Sequence, residues 1–547
     1  MEFPFEQDGK RRKSNSGRLL QQKHNIKASD SKTIARATLI SMIGLFMAKI
    51  TGFLREVLIV PILGYGMYSD PYYIAFAIPD FLFALLIGGA VAAAITPTLS
   101  GGIEQNRERE VWRSVSIFIS IASLVMIAVL GLAAILMQWL LPSINPGRSQ
   151  EVIKAAIPVS RILLIQCFFM TLIALTQGVL TSYKRFGLAA FGVMIYNILY
   201  MIVLLTYGEQ SLAGLKRVGW GVVGSAAIYF LFQLVLARRE LKHFKFNLDY
   251  KDPGFKKLLF LAIPTLLSGS VLHLNGLIMN AFTNQFTGAI TSIKQADQTF
   301  MLPYGVVAVA IGTVMLPNLT GFYAKRDYQQ CKTLFTKSIR QALFLIGPIA
   351  VTFFVLDFET IQLIFQWSTK YKNSEVAITG EILQWFCVSL IAQTVIYMTN
   401  QAFYARKVTR IALFNGILTL ILNPLFCILY TRVFDFGVKG IAMAHASYSV
   451  LSALIVYILY KLHKPQAKPY RIFPFILRLA YCLIVMGLVL SAVNLIPVYP
   501  AGKVWQIAVY LIKLIIGLIV YYIAGVSINL HEVVDLRNKL KIKISHS

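Results

Sequence analysis

Two short stretches decide the architecture of this chain: TPTLSGGIEQNRE at residues 96–108 and LPNLTGFYAKRD at residues 316–327. Each reads Pro-x-Leu-(Ser/Thr)-Gly, each ends a long apolar run, and each leads into a charged loop. Their prolines, Pro97 and Pro317, stand 220 positions apart. A motif shared at this separation predicts an internal duplication in which both copies run in the same direction.

The apolar runs around these motifs determine the class of protein. The chain has 547 residues, of which 57% are hydrophobic and 14% charged, whereas a soluble protein carries about a quarter charged residues. Runs of about 20 apolar residues recur, and each is long enough to cross a bilayer. They predict an all-α polytopic membrane protein with about fourteen spans, at 34–63, 70–99, 114–141, 153–181, 187–207, 219–237, 257–283, 288–321, 338–356, 377–404, 408–431, 437–461, 470–496 and 504–528.

The repeat divides these spans into two halves and an appendix. Six spans separate the two motifs, so spans 1–12 are predicted to form two six-helix bundles around a central cavity, an arrangement that suits alternating access. Spans 13 and 14 follow them. The predicted domains are a basic cytosolic tail (1–33), an N-terminal bundle (34–237), a cytoplasmic linker (238–256), a C-terminal bundle (257–461), the last two spans (462–528) and a cytosolic tail (529–547).

The net charge of +28 follows from topology. Lysine and arginine concentrate in alternate loops, above all at 238–257, whereas the loops at 64–70 and 283–288 contain none. This positive-inside bias predicts that both termini are cytoplasmic. The first 33 residues are polar and basic, so they do not read as a cleavable signal peptide. Because membrane topology accounts for the positive charge, membrane lipids are predicted as partners and nucleic acid is not.

The sequence lacks the residues that several functional classes of protein require. The sequence has no Walker loop, no dinucleotide-binding glycine pattern and no HExxH, as an ATP-driven pump, a dinucleotide enzyme or a zinc protease would require. A membrane glycosyltransferase would need a carboxylate-rich outer loop, and the predicted outer loops are short. The chain is therefore predicted to be no enzyme and to hold no metal or cofactor. Its scattered cysteines predict no disulfide framework: Cys167, Cys331, Cys387, Cys427 and Cys482.

Span 1 contains three charged residues, Lys49, Arg55 and Glu56. An ionisable side chain at membrane depth costs at least about 2.5 kcal/mol, so it normally faces a cavity or a partner. Lys49 and Glu56 are seven residues apart, which places them on one helical face with Arg55 beside it. Two cations against one anion predict a net positive cavity wall. The alternative is that Lys49 and Arg55 snorkel towards the interface.

Charged and polar residues also occur near spans 2 and 8. Asp70 is predicted at the outer mouth and Asp80 deeper. In span 8, Lys294, Asp297 and Gln298 follow at i, i+3 and i+4, which predicts one polar stripe. Cations in a cavity suit an anionic substrate, and arginine suits phosphate because its fork contacts two oxygens. A cation-coupled drug exporter would instead be expected to favour carboxylates.

The ordered motifs resemble a known family. AKITGFLRE (48–56), YSDPYYIAFAIPDFLFALLIGGAVAAAITPTL (68–99), ADQTFMLPYGVVAVAIGTVMLPNLT (296–320) and GVKGIAMAHASYS (437–449) are similar to the MurJ (MviN) lipid II flippases. That family belongs to the multidrug/oligosaccharidyl-lipid/polysaccharide exporter superfamily. The resemblance implies the two-bundle fold, a monomer in the bacterial cytoplasmic membrane, an undecaprenyl diphosphate-linked glycan as substrate, and cell-wall synthesis proteins as partners.

The resemblance also implies the site. Lys49, Arg55 and Glu56 match basic residues and an acid that line the family's cavity, and Asp70 matches its acid before span 2. Four positions differ from the family pattern. This chain has Phe83 and Ala84 where the family has a paired arginine, and Gly88 where the family has a glutamate. It has Gln298, with Lys294 one turn earlier, in place of an arginine, and Met279 in place of an acid linked to sodium binding. The coupling therefore stays open between the membrane potential and a monovalent cation. A flippase for another lipid-linked glycan, such as an exopolysaccharide or teichoic repeat, is the alternative function.

Overall fold

The computed structural model describes residues 43–87, 94–463, 466, 468–496 and 502–534. The predicted basic tail 1–33, Gly88 and the end of the C-terminal tail lie outside these residues. Among the described residues the chain is helical and contains no β-strand. This agrees with the all-α membrane class, because in lipid a helix satisfies its own backbone hydrogen bonds.

Within the described residues the first half contains seven helices, with α5 packed against α2, α4 and α7 at its centre. Their bounds are α1 (43–63), α2 (Ser69–Leu86), α3 (Thr96–Glu104), α4 (Glu108–Ile144), α5 (Gln150–Ser182), α6 (Phe186–Tyr207) and α7 (Leu212–Ala237).

The second half has the same plan, with α13 packed against α9, α11 and α15. A 3-10 turn at Leu241–His243 lies in the linker, another at Thr283–Gln285 follows α8, and π-helical segments at Tyr304–Val309 and Leu429–Val433 follow α9 and α14. The helices are α8 (Pro253–Phe282), α9 (Ala289–Pro303), α10 (Ala310–Ala324), α11 (Tyr328–Val355), α12 (Asp357–Phe365), α13 (Asn373–Ala405), α14 (Thr409–Ile428) and α15 (Gly437–Leu462). The pair α16 (Phe473–Asn494) and α17 (Lys503–Ser527) packs together and against α11.

The helices agree with the predicted spans. In the part of the chain that the structure describes, ten helices are long and apolar enough to cross a membrane, and α1, α2 with α3, α6 and α8 fall on the remaining four predicted positions. Two details differ. The predicted span 70–99 contains α2, which ends at Leu86, and α3, which begins at Thr96. The short helix α12 was not expected, because nine residues give too little periodic signal.

The repeated motif has a structural counterpart in the turn that ends each copy. After α3, Asn106 has φ of +55° and Arg107 N–H donates to Gly102 O at 2.8 Å. After α10, Arg326 has φ of +58° and Asp327 N–H donates to Phe322 O at 2.9 Å. Both are helix-ending turns with a left-handed residue and a six-to-one hydrogen bond. The two copies of the motif therefore share backbone geometry as well as sequence, which supports an internal duplication.

A second pair of turns repeats this geometry. Lys184 after α5 and Lys407 after α13 both have φ of +60°. Arg185 N–H donates to Leu180 O at 2.9 Å, and Val408 N–H donates to Phe403 O at 3.0 Å. Because α5 and α13 occupy the centre of their respective halves, the two halves share local backbone at two equivalent places.

The linker between the halves is held against α4. Lys245 and Asn247 donate their backbone N–H groups to Ser116 Oγ and Ser120 Oγ, both at 3.3 Å. Asp252 then caps α8 by accepting from Phe255 N at 2.8 Å, and it also accepts from Ser114 Oγ at 2.7 Å. Partial burial acts to raise the pKa of Asp252, but these hydrogen bonds lower it overall. The second half therefore starts in fixed contact with α4.

Candidate functional site

Arg55 of α1 points towards α6. Its Nη1 donates to Asn197 Oδ1 at 3.1 Å, and its guanidinium carbon lies 5.0 Å from the centre of the Tyr200 ring. Asn197 Nδ2 donates in turn to Ala48 O at 3.2 Å, which fixes the amide. Arg55 Nε is buried with no hydrogen-bond partner among the described residues. An unsatisfied buried donor is costly, and an anionic ligand entering here would remove that cost.

Glu56 orients this arginine from a buried position. Its side chain is 4% exposed, Oε1 accepts from Tyr73 OH at 2.5 Å, and Oε2 lies 3.8 Å from Arg55 Nη2. Lys49, by contrast, is exposed and forms no ion pair with a described residue. The sequence places Lys49 and Glu56 on one cavity wall, but the structure separates them because α2 covers Glu56. Glu56 is thus placed to position Arg55 from behind the cavity wall.

A cavity of 260 Å³ lies beside Arg55, between α1, α2, α5 and α6. Its wall includes Asp80, which the sequence places deep in span 2 without a binding role. Phe83, at the position of the family's paired arginine, also lines it. The wall therefore combines charged, polar and apolar side chains: Arg55, Asp80, Gln166, Tyr196, Phe76 and Phe83.

Charges from the second half reach the same region through α9. Lys294 is half-buried, and its charge is near enough to favour the ionised forms of Asp80 of α2 and of Asp297 one turn further on, although it forms no ion pair with either carboxylate. Asp297 also interacts with Glu56, and the half-buried Gln298 follows it on the same helix. The structure thus brings the charged residues of spans 1 and 8 together. Two carboxylates, Asp80 and Asp297, oppose the cations, so the wall is less positive than the sequence predicts.

Asp70, expected at the outer mouth, is buried between the two halves. Its side chain is 1% exposed, and Oδ2 accepts from Arg148 Nη2 at 2.7 Å and from Gly288 N at 2.8 Å. Oδ1 accepts from Thr291 Oγ1 at 2.7 Å. Arg148, in the loop between α4 and α5, also donates to the carbonyl oxygens of Thr283 and Phe286, both at 3.1 Å. In this conformation Asp70 joins the halves and does not face the Arg55 cavity.

Further contacts join the two halves beside Asp70. Ser69 and Thr291 hydroxyls lie 2.7 Å apart, as do those of Tyr65 and Ser292. Tyr65 also stacks on Tyr371, with ring centres 5.4 Å apart. Gly288 has φ of +78°, and a Cβ there would lie 2.1 Å from Tyr65 Cε1, so only glycine permits this approach. These residues, with Asp70 and Arg148, join the two halves at the end that the loop charges predict to face outwards, and we call them the outer closure.

Sequence reasoning missed Arg148 and the role of Asp80. Arg148 is 78 residues from Asp70, and neither periodicity nor spacing relates the two. Asp80 was visible as an acid at membrane depth, which is a signal of function. Its neighbours, however, come from three other helices, and no local pattern identifies them.

Comparison with known proteins places these features in a family. A family profile described as lipid II flippase MurJ matches residues 59–509, which is most of the chain. Among curated relatives, a probable lipid II flippase MurJ of Rhizobium tropici is 28% identical over 421 residues, 75% of this chain and 78% of the relative. A lipid II flippase MurJ of Burkholderia cenocepacia is 24% identical over 370 residues, 66% of this chain and 71% of the relative.

Solved structures share the fold. A lipid II flippase MurJ in an inward closed conformation aligns with a TM-score of 0.76 at 21% identity, covering 91% of this chain and all of the other. An inward-facing multidrug resistance MATE transporter of the MOP superfamily aligns with a TM-score of 0.66 at 16% identity, covering 77% of this chain and 97% of the other. The chain therefore shares its fold with both of these proteins.

Proposed function

The chain belongs to the lipid II flippase MurJ family, and we propose that it moves lipid II from the inner to the outer leaflet of the bacterial cytoplasmic membrane. The observation that carries the proposal is a closed outer end above a cavity that holds a fixed arginine. Both termini are proposed to be cytoplasmic, as the loop charges predict. The protein is a transporter, so no bond of the substrate is made or broken.

The cavity residues would bind the diphosphate of the lipid. Arg55 is oriented by Asn197 and Glu56, so its fork can meet two phosphate oxygens without losing much side-chain freedom. Lys294 would approach the same diphosphate from the second half, and Lys49 from the open part of α1. Asp80 and Asp297 partly offset the charge of Lys294. A diphosphate held by Arg55 of the first half and by Lys294 of the second half would draw the two halves together.

Alternating access would follow from opening and closing at the two ends. The outer closure blocks the outer end in the described state, so the headgroup would enter from the inner leaflet. The helix that carries Lys294 continues past Pro303 into a π-helical segment, Tyr304–Val309. Such segments are weak points at which a helix bends. Bending here would let α9 leave the outer closure while α10 stays packed on α11.

A flippase for another lipid-linked glycan is the second candidate. The observation that favours it is Phe83, which lines the cavity where the family has a paired arginine. Gln298 likewise replaces a charge in α9. Both changes alter the wall that meets the headgroup, whereas the diphosphate-binding cations remain. The two candidates therefore differ in the sugar and share the lipid carrier.

Genetic complementation separates these candidates. Expression of this protein is expected to restore growth to cells depleted of their own lipid II flippase, because the diphosphate site and the closure are intact. Growth and membrane abundance are measured together. Failure to rescue despite normal insertion, with rescue of an exopolysaccharide export defect, would transfer the function to the second candidate.

The membrane potential is proposed to drive transport. Each net negative charge that moves outwards gains about 2.3 kcal/mol per 100 mV of inside-negative potential. The sodium-linked acid of the family is Met279 here, which packs against the apolar core of the second half. Collapsing the potential with valinomycin and potassium is expected to stop transport into the outer leaflet, whereas replacing sodium with choline is not. Sodium dependence at constant potential would refute this proposal.

A further inference from the structure

A second cavity, larger than the first, lies outside the substrate path. It measures 480 Å³ and is formed by the beginning of α11, the residues before α16 and the segment after α17. Its wall includes charged and polar side chains with apolar ones beside them: Thr333, Lys337, Arg340, Gln341, Leu345 and His531. Nothing in the proposed transport cycle uses this cavity. We call it the α11–α17 cavity.

The α11–α17 cavity lies where the protein surface changes from polar to apolar. On α11, Arg340 is the last charged residue before the uncharged run 342–356. On the facing segment, the uncharged run 514–530 ends just before His531 and Glu532. Leu345, one turn into the apolar side, is 41% exposed. A ligand here would have its polar end at the depth of lipid phosphates and its apolar end in the acyl region.

The charges of the cavity leave one cation without an anionic partner. Arg340 Nε and Nη2 donate to the two carboxylate oxygens of Glu532 at 2.7 and 3.2 Å, and the guanidinium lies 4.7 Å from the Phe475 ring centre. Glu532 is thereby neutralised. Lys337 is exposed and forms no ion pair with any residue that the structure describes. Thr333 and Gln341 lie on the same wall and add hydrogen-bonding groups.

We propose that the α11–α17 cavity binds the phosphate headgroup of an anionic phospholipid, with Lys337 as its main cation and an acyl chain along Leu345. Its volume is in the range of small-molecule sites. Basic pockets between membrane helices on the cytoplasmic side are suited to anionic headgroups. The loop before α11 carries Lys325 and Arg326, and Lys332 lies in the first turns of α11, so the positive-inside bias places this cavity at the inner leaflet. A bound lipid would brace α16 and α17 against α11.

The test uses the full-length protein in detergent and dioctanoyl phosphatidylglycerol as the probe. The unfolding temperature is expected to rise saturably with this lipid and to change little with dioctanoyl phosphatidylcholine. Lys337→Gln is expected to weaken the apparent affinity about fivefold, because the substitution removes one lysine–phosphate contact near the membrane surface. Thr333→Trp fills the exposed wall and is expected to abolish the saturable rise. Lys332→Gln, on the same helix outside the cavity, is the matched control and should keep the parent affinity.

Each other outcome counts against the proposal. Equal effects of the two lipids would show that no anionic site exists. Equal weakening by Lys332→Gln and Lys337→Gln would show diffuse attraction to a basic face. Binding of glycerol phosphate as tight as that of the lipid would assign the cavity to a soluble phosphate. The proposal stands independently of the transported substrate, because these variants leave the Arg55 cavity unchanged.

Discussion

Arg55→Ala is expected to abolish transport while the protein remains in the membrane at its normal level. A hydrogen bond to a charged group contributes about 1.5–3 kcal/mol, so losing two phosphate contacts weakens diphosphate binding at least ~100-fold. The alanine also leaves Asn197 and Glu56 without the cation that they orient. Complementation of flippase-depleted cells, normalised to membrane abundance, measures the effect.

Four companion variants separate binding from positioning. Arg55→Lys should retain part of the activity, because a point charge replaces a planar fork. Lys49→Arg should be tolerated, since Lys49 is exposed and either cation serves there. Glu56→Asp should be mild, whereas Glu56→Lys should be severe because it buries a second cation beside Arg55 and Tyr73. Full activity of Arg55→Ala would mean that Arg55 only snorkels to the interface.

Asp70→Ala is expected to open the outer closure and to stop transport. It leaves Arg148 buried without its carboxylate, and breaking a buried ion pair in this way costs about 3–5 kcal/mol. The cost falls on the closed state, so the population shifts towards an open outer end. A cysteine introduced at Met170, in the cavity wall, reports the change in a Cys167→Ser background, because Cys167 lines the same cavity and the other native cysteines are buried elsewhere. Its labelling by an impermeant reagent from outside should become at least ~10-fold faster.

Two controls make this test specific. The double variant Asp70→Ala with Arg148→Ala should label more slowly than Asp70→Ala alone, since it leaves no uncompensated charge. Arg107→Gln breaks the exposed ion pair of Arg107 with Glu110, and the cysteine at position 170 should be labelled at the same rate in this variant as in the protein without it. Unchanged labelling in Asp70→Ala would show that the Asp70–Arg148 pair does not hold the outer end closed.

The sequence by itself determined the class and plan of the protein. Apolar runs of bilayer length predict the helices, because lipid leaves the backbone no other hydrogen-bonding partner. The motif shared by Pro97 and Pro317 predicts two related halves, and the helix-ending turns at Asn106 and Arg326 agree with it. The cost of charge in lipid identifies Arg55 and Lys294 as candidate site residues from the sequence alone. These signals are local or periodic, so one chain is enough to read them.

Only the tertiary structure decided which of these charges meet. Asp70 pairs with Arg148 of its own half and accepts hydrogen bonds from Gly288 and Thr291 of the other half, whereas Glu56 is covered by Tyr73. Asp80 lies in the cavity wall beside Arg55. Helical spacing specifies the face on which a residue lies but not the helix that packs against that face. The partner is chosen by the packing of whole helices, which depends on side-chain shape over many turns. For this reason the sequence supplied the candidate residues, and the packing assigned Arg55 to the cavity and Asp70 to its outer closure.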